Sequence, residues 1–206
     1  MKRKVFISFR FSDGAQYKKE LSDKFDEETK VINCSEDIDR SGCTEETIRR
    51  YLYSKLKSTS VTIILLTPEA IHHKKKYGKY DDWMYDEIRY SLECRENNRT
   101  NGLVAVYVPE AKKYLIKEST HTCNVCKKQK STSYILEVDN LFRKNMMNIK
   151  KEHKLNSCEG LYDPHWDSYC SLVSWDDFLE NYQMYIDIAE QKREELNKYD
   201  VRKKLE

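Results

Sequence analysis

VTIILLT, residues 61 to 67, decides the architecture. The run shows no apolar–polar alternation, which suits a strand covered on both faces, as in a parallel sheet. Residues 4 to 9 (KVFISF) and 102 to 108 (GLVAVYV) have the same character. Helical patterns lie between these runs. Over residues 14 to 28, Tyr17, Leu21 and Phe25 recur every four positions while Lys18, Lys19, Asp23 and Lys24 take the other side. A weaker strand, KVIN at 30 to 33, leads into a polar loop, CSEDIDRSGC. Thr44 then suits an N-cap, Glu45 and Glu46 favour the positive end of the helix dipole, and Ile48, Leu52 and Leu56 form a stripe.

After the 61 to 67 strand, Thr67-Pro68-Glu69 signals a helix start, and the main helix begins near Asp82. This alternation of strand and helix implies βαβ crossovers. The expected fold is α/β, a flavodoxin-like three-layer arrangement with a parallel sheet in the order 2-1-3-4-5. Residues 110 to 170 break the rhythm and read as an insertion before the last strand and helix. Order returns at 171 to 173, where Ser174 and Asp177 resemble a capping box ahead of Phe178, Tyr182, Tyr185, Ile186 and Ala189. The tail QKREELNKYDVRKKLE reads as a solvated helix end that frays. Residues 1–206 are thus expected to form a single domain, with its core at 3–108 and 171–197.

Composition narrows the function classes. Charged residues make up 35%, yet 15 Tyr and 6 Phe join the apolar runs in supplying a core. A net charge of +2 without a long basic block gives no nucleic-acid arm. MKRKVFISF has basic residues ahead of an apolar run, but the run is too short for a signal peptide and reads as a strand. No stretch approaches the ~18 apolar residues of a membrane span. Seven cysteines at irregular spacing fit reduced thiols, so the expected location is the cytoplasm, with neither nucleic acid nor membrane as partner.

Candidate site residues follow from the topology. On the helix from 83 to 94, Met84, Ile88 and Leu92 make the core stripe, and Trp83, Glu87 and Tyr90 or Ser91 line the neighbouring strip. Glu87 therefore sits at an aromatic edge, where a carboxylate can be partly desolvated and still reach a groove. An ordinary boundary glutamate has the same spacing. In a 2-1-3-4-5 sheet the ligand crevice opens at the carboxyl ends of strands 1 and 3. SFRFSDG, with Ser8, Arg10, Ser12 and Asp13, borders that crevice, and simple turn chemistry would also account for it.

No Walker motif or G-x-G-x-x-G is present, which removes the kinase, GTPase and dehydrogenase readings. Cys123 and Cys126, with His121 near, have the spacing of half a zinc knuckle that Cys158, Cys170 or His165 would complete. A lone C-x-x-C is weak, and the expectation is free surface thiols with no metal. No local pattern singles out a Cys/His nucleophile pair.

KVFISFRFSD, SVTIILLTPEA and WMYDEIRYSLE, in that order, resemble the TIR-like family, in particular the Thoeris anti-phage signalling proteins of the ThsB type. VSWDDFLENYQMYIDIA resembles that family's last strand and helix. The resemblance implies an NAD+ glycohydrolase or ADP-ribosyl cyclase with Glu87 of the W-x-x-x-E motif as catalytic carboxylate. It further implies that Phe6, Ser8, Phe9, Arg10 and Trp83 border the substrate, and that the loop SEDIDRSG, with Asp39 and Arg40, helps close the site. That loop departs from many TIR domains in grouping Glu36, Asp37 and Asp39. NAD+ would be substrate and no cofactor is expected.

The expected partners are a separate effector reached through an ADP-ribose-derived product, cyclic or conjugated, together with a phage-derived trigger and copies of the chain itself. Two other readings remain at this stage. One is a non-catalytic adaptor acting by assembly; the other is a nucleoside deoxyribosyltransferase-like enzyme, which also sets a Glu against a sugar.

Overall fold

The computed structural model describes residues 2–28, 30–35, 44–72, 83–94, 99–127, 129–135, 140–156, 158 and 161–205. Strands and helices alternate through β1 (Arg3–Ser8), α1 (Phe11–Glu28), β2 (Val31–Asn33), α2 (Glu45–Leu56), β3 (Val61–Leu66), α3 (Pro68–His72), α4 (Trp83–Leu92) and β4 (Gly102–Tyr107). The insertion supplies a short α5 (Lys112–Leu115) and an antiparallel hairpin of β5 (Ile116–Thr122) and β6 (Gln129–Ile135). β7 (Cys170–Ser174) and α6 (Trp175–Glu194) come last. The main sheet has the order β2-β1-β3-β4-β7, and every neighbouring pair is parallel. This is the expected flavodoxin-like order.

Each face of the sheet takes alternate residues of β3, and for that reason its sequence carries no polar alternation. Val61, Ile63 and Leu65 join Val5, Ile7, Val104, Val106 and Val173 against Leu21 and Phe25 of α1 and Phe178, Tyr182 and Ile186 of α6. Ile64 and Leu66 join Leu103 and Ala105 against Met84, Ile88 and Leu92 of α4. Phe6 belongs to this second face, where it meets Leu52 and Leu56 of α2 and Tyr90 of α4. Full burial of one such side chain contributes about 1.5–3 kcal/mol. Two faces of them oppose the chain entropy of a highly charged sequence.

The predicted caps form: Thr44 Oγ1 accepts from Thr47 N–H (3.3 Å) and Ser174 Oγ from Asp177 N–H (3.3 Å). Gly102 is fixed by packing, because a Cβ there would lie 2.2 Å from the Ala189 carbonyl oxygen of α6. A bare backbone lets α6 rest directly on β4.

Three expectations change. Helix α1 starts at Phe11, so most of SFRFSDG is helical first turn and not open loop. Lys18 is 2% exposed where a solvated position was expected. The tail does not fray. Ile149 and Tyr199 form an antiparallel bridge, Lys150 N–H donates to Lys198 O (2.9 Å), and Asp200 N–H donates to Asn148 O (2.9 Å). Asn145 closes a pair of bonds with Arg202, donating to its carbonyl (2.8 Å) and accepting from its amide (2.9 Å). Tyr199, Val201 and Leu205 pack on the second cluster, apolar contacts that the surrounding charges conceal in the sequence.

Behind this tail, the buried Lys192 of α6 donates to His165 O (2.9 Å), Ser168 O (2.7 Å) and Ser171 Oγ (2.7 Å). It ties the end of the insertion to the last helix. Among the described residues no helix is long and apolar enough to cross a membrane.

Candidate functional site

The position of Glu87 follows from how α4 is pinned. Ser91 Oγ lies 2.7 Å from Thr62 Oγ1 of β3 and donates to Glu87 O (2.7 Å). Asn101 Nδ2 donates to Thr62 Oγ1 (3.2 Å) and Thr59 Oγ1 (3.0 Å), and Asn101 N–H donates to Ser91 O (2.7 Å). The C-terminal end of α4 is thereby fixed at the entry to β4, and the helix runs antiparallel to β3. From Thr62 to Ile64 the strand rises about 6.6 Å; from Ser91 back to Glu87 the helix rises about 6 Å. Glu87 thus stands level with Ile64, which pairs with Ser8 of β1.

Tyr90, one turn further along on the same strip, is buried beside Phe6 and meets Tyr53 at a tilt, with ring centroids 4.4 Å apart. Glu87 therefore occupies the strip that looks toward β1 and α2. Glu87 is half-buried, and its Oε2 is out of contact with solvent.

Ser8 is fully buried, and its hydroxyl has no hydrogen-bond partner among the described residues. Phe6 and Ser8 share the face covered by α2 and α4. Arg10 is half-buried, with Nε out of contact with solvent. Phe9 turns to the opposite face, packing against the α1 and α6 cluster with its ring 6.3 Å from that of Phe11. Within the first strand's segment, then, the sheet pleat separates Phe9 from Phe6 and Ser8.

Trp83 opens α4, and its side chain lies outside the described residues, as do Asp39, Arg40, Glu36 and Asp37. Ser12 and Asp13 have turn and cap roles. Ser12 Oγ donates to Glu69 (2.5 Å); Asp13 accepts from Thr67 Oγ1 (2.6 Å) and Glu69 N–H (2.9 Å), securing the start of α3.

A contact between two residues at the same carboxyl edge carried no sequence signal. Tyr17 donates to Glu110 (2.8 Å), from the segment after β4, and meets Trp175 edge-on at 4.9 Å. Burial, followed by the bond to Glu110, pushes the Tyr17 phenol up to about 12, and the same bond lowers the Glu110 carboxyl. This contact spans two distant segments, so no local pattern could mark it. It ties α1 to the segment after β4 at that edge.

A second cluster lies in the insertion. Cys123, Cys126 and Cys158 have their sulfurs within 4.8 Å of one another, and Cys123 and Cys158 are buried, which departs from the expected surface thiols. Cys170 is elsewhere, fully buried in β7, and His165 lies against Tyr185 of α6.

The family model for the TIR-like domain of Thoeris protein ThsB matches residues 6–113, just over half of the chain. The matched span runs from β1 into α5 and includes Ser8, Arg10 and Glu87. Its parallel sheet, order and helical layers agree with that match, and the chain belongs to the ThsB TIR-like domain family of Thoeris defence-associated proteins.

Proposed function

We propose that the protein cleaves NAD+ at the nicotinamide–ribose bond and releases an ADP-ribose-derived signal, cyclic or conjugated, that activates a separate effector in anti-phage defence. The observation that carries this reading is the half-buried Glu87, one oxygen out of contact with solvent, on α4, which follows β3 at the β1–β3 switch point. Family membership supports it.

The chemistry asks for one carboxylate. Nicotinamide departs as a neutral ring from a cationic one, taking the bond's electron pair, so no general acid is required. Positive charge develops on the ribose as an oxocarbenium ion. A fixed anion with one oxygen shielded from water stabilises that charge more than a solvated one would. Glu87 takes this role and hydrogen-bonds ribose hydroxyls. The Ser8 hydroxyl offers a bond to the same sugar or to the carboxamide, and the Arg10 guanidinium suits the pyrophosphate. A hydroxyl, amine or water then attacks the ribose carbon, and its identity sets whether the product is cyclic, conjugated or ADP-ribose.

Glu87→Gln keeps shape and removes charge. Mass spectrometry of nucleotides from cells expressing either form, with and without phage challenge, should show product and NAD+ loss only for the wild type. The variant's turnover is expected to fall about 100-fold or more, with circular dichroism unchanged. Equal turnover by the two forms would overturn the assignment of Glu87. Absence of any ADP-ribose derivative in either condition would favour an adaptor acting by assembly.

A further inference from the structure

The loop joining β5 to β6 turns so that the sulfurs of Cys123 and Cys126 lie within 4.8 Å of each other. Lys127 N–H donates to Cys123 O (2.8 Å), closing the turn that carries both cysteines. Lys127 then takes φ of 59°, a left-handed conformation that costs a residue with a Cβ about 1–2 kcal/mol.

The third sulfur arrives from a separate turn. Cys158 N–H donates to Asn156 Oδ1 (2.9 Å), Leu161 N–H to Cys158 O (3.2 Å), and Lys154 Nζ to the same carbonyl (3.0 Å), setting a cation beside the cluster. Ordinary core packing does not account for the arrangement. Cys170 is a member of a hydrophobic cluster, whereas Cys123 and Cys158 belong to none among the described residues. Val125 and Leu155 nearby in sequence are 65% and 94% exposed. Three thiolates held 2.3 Å from one ion stand about 3.8 Å apart, a spacing that sulfurs within 4.8 Å of one another reach by small side-chain rotations. Thiolate donors select zinc over magnesium or calcium.

We propose that Cys123, Cys126 and Cys158 together bind one zinc ion as thiolates, with a fourth position filled from outside this trio. Each thiol gives its proton to solvent as the sulfur takes the metal. The ion would staple the hairpin to the turn at Cys158 and order the insertion, independently of the chemistry at Glu87.

The full chain, expressed with zinc and purified under reducing, chelator-free conditions, should carry about one zinc per chain by elemental mass spectrometry. Cys126→Ser and Cys158→Ser should each lower this to below about 0.2 per chain, and Cys94→Ser, at an exposed position outside the cluster, should leave it unchanged. Because a variant at Cys158 can fail to fold, the wild type is also stripped and titrated with Co2+. Thiolate-to-cobalt charge transfer with the visible bands of a tetrahedral site supports the proposal. Metal-free wild type with no such spectrum, or a Cys123–Cys126 disulfide in the freshly isolated protein, overturns it.

Discussion

Ser8 carries a buried hydroxyl without a partner among the described residues, an arrangement that costs a fold about 1–3 kcal/mol. If the hydroxyl is kept for a ligand, removing it should not harm the fold. Ser8→Ala is therefore expected to leave urea stability unchanged or raise it by up to about 1 kcal/mol while NAD+ turnover falls about tenfold. Lower stability with unaltered turnover would make Ser8 a packing residue. The place of Glu87 on the helix strip beside Tyr90 and Ser91 was legible because local geometry preserves helical spacing; spacing alone gives an ordinary boundary glutamate the same place. Phe9, grouped by the resemblance with Phe6 and Ser8, packs on the other face, because a strand's pleat sends neighbouring residues to opposite faces. Cys158 gave no local sign of joining Cys123 and Cys126, since the meeting depends on how the insertion turns back on itself.

Among the elements, those buried on both faces were legible. β1, β3 and β4 announce themselves through unbroken apolar runs, and the amphipathic helices through period. The β5–β6 hairpin was not, because IKESTHT and QKSTSYI lack the apolar alternation that marks a half-buried strand. Close approach of elements is equally silent until three dimensions are known. Gly102 has no sequence signature, yet a methyl group there would sit 2.2 Å from one backbone atom of α6 and 2.5 Å from another. Backbone cannot swing aside as a side chain does. Gly102→Ala is expected to cost about 2–4 kcal/mol in urea unfolding, at the upper end of overpacking effects, and a loss under 0.5 kcal/mol would show that α6 can slide on β4.

For the whole molecule, the insertion and the tail are joined to the α/β layers by polar contacts that composition could not reveal. Lys192 is the main fastening. Burial pushes its ammonium down to about 8 from an ordinary 10.5. The folded chain therefore releases this proton at lower pH than the unfolded chain. Between about pH 8 and 10.5 the unfolded state binds more protons, so this group's penalty, present in full below pH 8, is relieved as pH rises. Lys192→Met removes three donated bonds and leaves the buried Ser168 carbonyl without this donor, so it should lower stability at neutral pH by about 1–3 kcal/mol. The gap between wild type and variant should widen by on the order of 3 kcal/mol from pH 7.5 to 10.5, read from paired urea titrations; a constant gap would place the ammonium in contact with water. Position along the chain adds a consequence in time. β7 pairs with β4, yet the whole of Val108 to Tyr169, 62 residues, must be synthesised between them. At about 5–20 residues per second, β4 waits roughly 3 to 12 s as a bare, wholly apolar sheet edge on the ribosome. During that interval the nascent protein offers a template for any neighbouring strand, and a chaperone able to shelter it would act on the half-made chain, before the fold exists.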